Sequence, residues 1–103
     1  MQLNDYQAEA MSFRLPTANA DYALQNLAGE VGELLSLKAK AIRDGRKMDH
    51  DLQTKKELGD ILWCVAAVAE DHGFTLEDVA RGNLRKLEGR AAAGTLKGSG
   101  DDR

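Results

Sequence analysis

The sequence predicts an all-α fold, a helical bundle of four main helices, on three observations. Apolar residues recur at intervals of three and four along most of the chain, the spacing of one helix face. A single Pro and 5% aromatic residues leave little material for a sandwich or barrel. No segment alternates apolar and polar residues at strand period, and neither an internal repeat nor a linker interrupts the pattern. At 103 residues the chain is one domain whose modest core would gain from a partner subunit, so a homodimer or a dimer of dimers is expected. The competing architecture is an extended helical dimer without a compact monomer core.

The elements follow in order. Asn4 with Gln7 has capping-box spacing, and Leu3, Gln7, Ala10 and Met11 continue a short first helix until Leu15-Pro16 stops it. Thr17 or Asn19 is placed to cap a long second helix carrying Leu24, Leu27, Val31, Leu34, Leu35 and Ile42 in one stripe, ending at Asp44-Gly45. Asp49 or Asp51 opens a third, with Leu58, Ile61, Leu62, Val65 and Val68 as its buried face, closing near His72-Gly73. Thr75-x-x-Asp78 reads as a capping box with Phe74 and Val79 as a hydrophobic staple, and the fourth helix runs to about Ala93. The helical domain therefore spans 1–93, and 94–103 is a Gly-rich tail.

Composition excludes several classes of function. The net charge is −3 with both signs interspersed, so no broad cationic face awaits a nucleic-acid polymer. Cys64 is the one cysteine, which rules out an intrachain disulfide or a multi-cysteine zinc site; set in an apolar run, it reads as core in a reducing compartment. No apolar stretch approaches the ~20 residues of a membrane span and no signal-peptide layout opens the chain. A cytoplasmic protein without membrane contact is expected.

The most informative motifs are two acidic doublets at helical spacing, Glu30-Val31-Gly32-Glu33 and Glu57-Leu58-Gly59-Asp60. Residues three apart are neighbours on a helix surface, so each doublet sets two carboxylates on one side. Both flank an apolar stripe, and antiparallel packing along those stripes would bring the pairs face to face. Crowded carboxylates repel, and some must take up protons unless a cation neutralises them; hard oxygen ligands select Mg²⁺, with Mn²⁺ as a substitute. Gly32 and Gly59, each costing ~1 kcal/mol in a helix interior, suggest close approach or tight helix packing. A ferritin-type di-iron site is excluded, because neither His50 nor His72 lies three residues after a Glu. Both histidines read as surface or helix-end residues.

These motifs resemble those of the MazG-like, all-α nucleoside triphosphate pyrophosphohydrolases, whose signature is E-x-x-E on one helix and E-x-x-D on the next. The likeness extends to the basic segment Asn83-Leu-Arg-Lys86-Leu-Glu-Gly-Arg90 and to the tail from Gly94. It implies that Glu30, Glu33, Glu57 and Asp60 hold Mg²⁺ and that a nucleoside triphosphate, deoxynucleotides included, is cleaved to monophosphate and pyrophosphate. Oligomers are usual by the same likeness. Longer members often carry a second Glu where this chain has Gly29.

Glu33 or Glu57 is the candidate base that accepts a proton from water. Lys86 and Arg90, four apart on one face, are candidates to grip phosphate oxygens, and Asn83 to touch sugar or base. Trp63 lies opposite the Leu58–Val65 stripe, where it meets another subunit or offers a flat surface to a base. The Gly98-Ser99-Gly100 turn could wrap phosphate with backbone N–H groups. The alternative to an enzyme is a non-catalytic helical module of the same fold that binds nucleotide or protein; a structural assembly protein with acids kept for solubility is a third class.

Overall fold

A computed structural model describes residues 1–45, 50–98 and 100. Four helices follow in order: α1 (Leu3–Ser12), α2 (Ala20–Asp44), α3 (His50–Asp71) and α4 (Leu76–Ala93), with no strand among the described residues. Local chemistry sets most ends. The Asn19 Oδ1 accepts from the Tyr22 N–H at 3.0 Å to open α2, and the Thr75 Oγ1 accepts from the Asp78 N–H at 3.1 Å to open α4. Gly45 and Gly94 close α2 and α4 at positive φ, 61° and 71°, where a Cβ would be strained. The position of Asp49 lies outside the described residues, and Asp51 falls in the first turn of α3.

Asn4 and Gln7 do not box the start of α1. Gln2 precedes that helix, its N–H donating to the Asp5 Oδ2 at 3.2 Å. Asn4 and Gln7 instead reach across to the α3–α4 turn: Asn4 Oδ1 accepts from the Glu77 N–H at 3.1 Å, and Gln7 Oε1 from the Leu76 N–H at 2.8 Å. The buried Gln7 amide also donates to the Phe74 carbonyl at 3.1 Å. Side chains that local spacing assigns to the start of α1 thus serve the first turn of α4 instead. Arg14 fastens the other end of α1, donating to the Ala18 carbonyl at 2.7 Å and to both Asp71 carboxylate oxygens at 2.8 and 2.9 Å.

α2 and α3 run antiparallel, paired through Asn26 with Cys64 and Lys38 with Thr54. α1 and α4 pack on each other and on α3, and α2 meets only α3 among the described helices. The fully buried apolar residues are Ala10, Ala23, Cys64, Ala66, Ala67, Ala69 and Leu76, a core poor in large side chains. The radius of gyration, 16.6 Å, exceeds the ~13 Å of a compact chain of this length. The single chain is therefore open, and its small core is centred on α3, which supplies Cys64, Ala66, Ala67 and Ala69.

The expected apolar faces are rotated as a result. On α2, Leu27 and Leu34 lean into α3, while Leu24, Val31, Leu35 and Ile42 are exposed, Ile42 by 84%. On α3, Ile61, Val65 and Val68 are half-buried but Leu58 and Leu62 are exposed. Gly32 and Gly59 also depart from expectation: a Cβ on either would meet no atom within 4 Å, so neither serves close packing within this chain.

Replacing Gln7 by Leu keeps bulk but leaves the Leu76 N–H and Phe74 carbonyl without their partner. Urea denaturation should show a loss of about 2 kcal/mol. An unchanged midpoint would mean that water replaces the amide.

Candidate metal centre

The i, i+3 spacing of each doublet and the antiparallel course of α2 and α3 place Glu30, Glu33 and Glu57 together. One carboxylate oxygen from each lies within 4.8 Å of the others. Glu30 and Glu57 sit half-buried in the seam, and Glu33 is exposed at its edge. Asp60 stands outside that 4.8 Å group, yet its charge reaches Glu30 and Glu57.

The electrostatics are those of an unanswered negative cluster. Burial, then the charges of Glu33, Asp60 and Glu57, raise the Glu30 carboxyl above the ordinary carboxylate range. Burial and the charges of Glu33 and Asp60 raise Glu57 in the same direction, and Glu33 is within hydrogen-bonding reach of both. One oxygen each of Glu30 and Glu57, Oε2 in both cases, is buried with no hydrogen-bond partner among the described residues. Buried carboxylate oxygens normally have a donor, so two orphans side by side fit a hard divalent cation, which needs few protein oxygens and keeps its waters. Beside them Cys64 is buried, its thiol taking a contact from the Asn26 amide at 3.4 Å. Burial, with the charge of Glu30 next, raises that thiol as well, so it behaves as core rather than as a thiolate ligand.

Three comparisons place this geometry in context. Residues 19–94 match the MazG nucleotide pyrophosphohydrolase domain. The chain belongs to that family. The matched segment holds α2, α3, α4 and both acidic doublets, so the cluster lies wholly inside the MazG domain, with α1 ahead of it. A relative, the Gene 37 protein of Mycobacterium phage L5, is 38% identical over 87 residues, spanning 80% of this chain and 75% of its own length. No solved structure matches the chain.

The other site residues named from sequence are not all gathered at the acids. Asn83 and Lys86 line a cavity of about 530 Å³ with Phe74, Asp78, Val79 and Gly82, on a helix that does not touch α2. Arg90, one turn past Lys86, is buried, and its guanidinium donates to the Gly100 carbonyl at 3.4 Å. Ser99 and 101–103 lie outside the described residues, so the phosphate wrap expected of the tail does too. Trp63 is turned toward α1 of its own chain, its indole N–H donating to the Ala10 carbonyl at 3.0 Å. His72 is exposed at the end of α3, with Nδ1 at 2.9 Å from the Val68 carbonyl. Sequence reasoning missed the α1 side chains beside Trp63, namely Tyr6, Glu9 and Phe13. The i, i+3, i+7 spacing of these residues was the available signal.

A carboxyl whose folded value is raised loses stability as pH climbs through the unfolded value toward the folded one. With metal absent, Glu57→Gln should therefore melt higher than the unsubstituted protein at pH 7.5, and the gap should vanish as pH falls below the carboxylate range. Mg²⁺ should raise the melting temperature of the unsubstituted protein and leave Glu57→Gln nearly unmoved. Differential scanning fluorimetry reads both.

Proposed function

We propose that this MazG domain hydrolyses a nucleoside triphosphate, a deoxynucleotide included, to the monophosphate and pyrophosphate with the help of Mg²⁺, for which Mn²⁺ can substitute. The observation that carries the reading is the pair of orphaned, buried Glu30 and Glu57 oxygens beside Glu33. Glu30, Glu57 and Glu33 would hold the ion, with Asp60 one turn from Glu57 adding charge. When bound, Mg²⁺ supplies positive charge to the triphosphate and acidity to a water. The protein's part is positional. Glu30 and Glu57, held in the helix seam, fix where the triphosphate lies. Glu33 at the solvent edge takes the proton from the water that attacks the α-phosphorus, while the bond to the bridging oxygen breaks and pyrophosphate leaves with the electron pair. Glu57 is the other group that could accept that proton, but its buried oxygen suits ion holding better. Lys86 and Asn83 in the α4 groove supply contacts to phosphate and sugar, and Trp63 faces the base; Arg90, folded under the tail, orders the end of α4.

Two copies form the working unit. Positions 24, 28, 31, 35, 38 and 42 of α2 follow a four–three spacing, the period of a coiled-coil seam, and the apolar ones are exposed. Each lies just past a position that packs on α3, as Leu58 and Leu62 lie just past Glu57 and Ile61 on α3. In an antiparallel pair such positions turn to the same side, so the hairpin presents one apolar face. That face is self-complementary under a two-fold axis. Dimer pairs could assemble further into a tetramer.

Incubation with a panel of deoxynucleoside and ribonucleoside triphosphates and Mg²⁺ should release pyrophosphate and monophosphate. Glu33→Gln should lower kcat by roughly two orders of magnitude while Mg²⁺ still raises the melting temperature, by less than in the unsubstituted protein. Orthophosphate as the sole product, or nucleotide binding without turnover, would overturn the reading. In light scattering the unsubstituted protein should run as a dimer or tetramer, and Leu35→Glu should shift it to monomer.

A further inference from the structure

Aromatic side chains are scarce in this chain: one Trp, two Tyr and two Phe. Tyr6, Phe13 and Trp63 nevertheless converge on a single cleft of about 280 Å³ between α1 and α3, whose lining Glu9 and Ala10 complete. The volume lies at the lower end for small-molecule pockets, enough for one planar ring system but not for a whole nucleotide. Phe13, at the C-terminal cap of α1, is 75% exposed, an apolar ring kept at the surface beside the cleft. The hydrogen bond from Trp63 to the Ala10 carbonyl fixes the indole against α1, so the cleft wall is set before any ligand arrives.

The cleft adjoins the acids. Trp63 lies three residues beyond Asp60, one turn along the same flank of α3. Tyr6 feels the same neighbourhood: burial first, then the charges of Cys64 and Asp60, raise its hydroxyl above the ordinary value. α1 lies outside the segment matched to the MazG family, so what it does at the site has to be read from this chain.

We propose that the α1–α3 cleft holds the nucleobase of the substrate between Trp63, Tyr6 and Phe13, and that Glu9 selects guanine. The proposal rests on the hydrolytic reading above for the placement of the phosphates. Stacking on aromatic rings accepts any base, because every base has a π-face. Selection therefore falls to the polar group in the lining. An ionised carboxylate only accepts hydrogen bonds, and it takes two parallel donors best. Guanine offers that pair at N1–H and the N2 amino group. Adenine and cytosine set a ring acceptor beside their amino group, and thymine and uracil set one N–H between two carbonyls, so each turns a lone pair toward Glu9.

The chain's single tryptophan makes the test direct, since all indole fluorescence comes from Trp63. Titrating the full chain with dGMP, dAMP, dCMP and dTMP should quench that fluorescence, with dGMP acting at concentrations about tenfold or more below the others. Glu9→Gln should reduce the dGMP advantage to about twofold or less, and Phe13→Ala should weaken all four ligands alike. The ratio of kcat/KM for dGTP over dATP should fall in step in Glu9→Gln. Equal quenching by the four monophosphates, or none, would overturn the proposal. Pyrophosphate release without base preference would leave the hydrolytic reading standing and sink this one; guanine-selective quenching without pyrophosphate release would do the reverse.

Discussion

Like charges packed between two helices push those helices apart, and the α2–α3 hairpin is built around such a set. Glu30 and Glu57 occupy positions where an aliphatic side chain would bury apolar area, and their inner oxygens find no donor. In the lone chain burial, and then the charge of the neighbouring acids, holds both carboxyls above the ordinary range. A divalent cation would relieve this strain, replacing repulsion with attraction from every carboxylate at once. Stability given up in the seam would thereby be converted into affinity for an ion, the usual relation between a strained site and its ligand.

The remaining architecture makes sense around that constraint. A seam with acids at its centre cannot also be the main apolar core, and the buried residues elsewhere are mostly alanines. Large aliphatic side chains go instead to the outer side of the hairpin, where Leu24, Val31, Leu35, Leu58 and Leu62 lie exposed. Glu33 and Asp60 each precede a packing position, so they turn to the opposite side. One hairpin therefore carries a polar flank and an apolar flank, divided by the seam. Covering the apolar flank would press α2 against α3 and hold the acids in register, so association and ion holding would act on the same two helices.

Sequence periodicity exposed what depends on near neighbours. Asn19 and Thr75 cap helices with their own side chains, Gly45 and Gly94 close them, and Glu30, Glu33 and Glu57 meet because i, i+3 spacing and antiparallel packing leave few other outcomes, with Asp60 outside the group. Long-range choices stayed hidden. Asn4 and Gln7 have the spacing of a local cap but spend their amides on the α3–α4 turn. Leu58 and Leu62 continue an apolar stripe that a helix wheel centres on the core, yet a small twist of α3 toward Glu57 and Ile61 leaves them outside. Lys86 and Arg90 have the spacing of one helix face, but Arg90 spends a donor on the Gly100 carbonyl. Each miss turns on which element arrives from elsewhere in the chain, which spacing along one helix does not encode.

The placement of α1 shows how such arrivals matter to function. A short helix is marginal alone and gains order from its contacts. α1 is held by Gln7 at the α3–α4 turn, by Arg14 on Asp71 and by Trp63 on Ala10, which together tie it to both ends of the second half of α3. Because Asp60 and Trp63 ride on that same helix, the distance between α1 and the acids is set by one rigid rod. A ligand spanning cleft and cluster would meet two surfaces already at fixed separation, and the entropy of aligning them is lost on folding rather than on binding. Loosening α1 should then weaken ligand capture more than it disturbs the acids themselves.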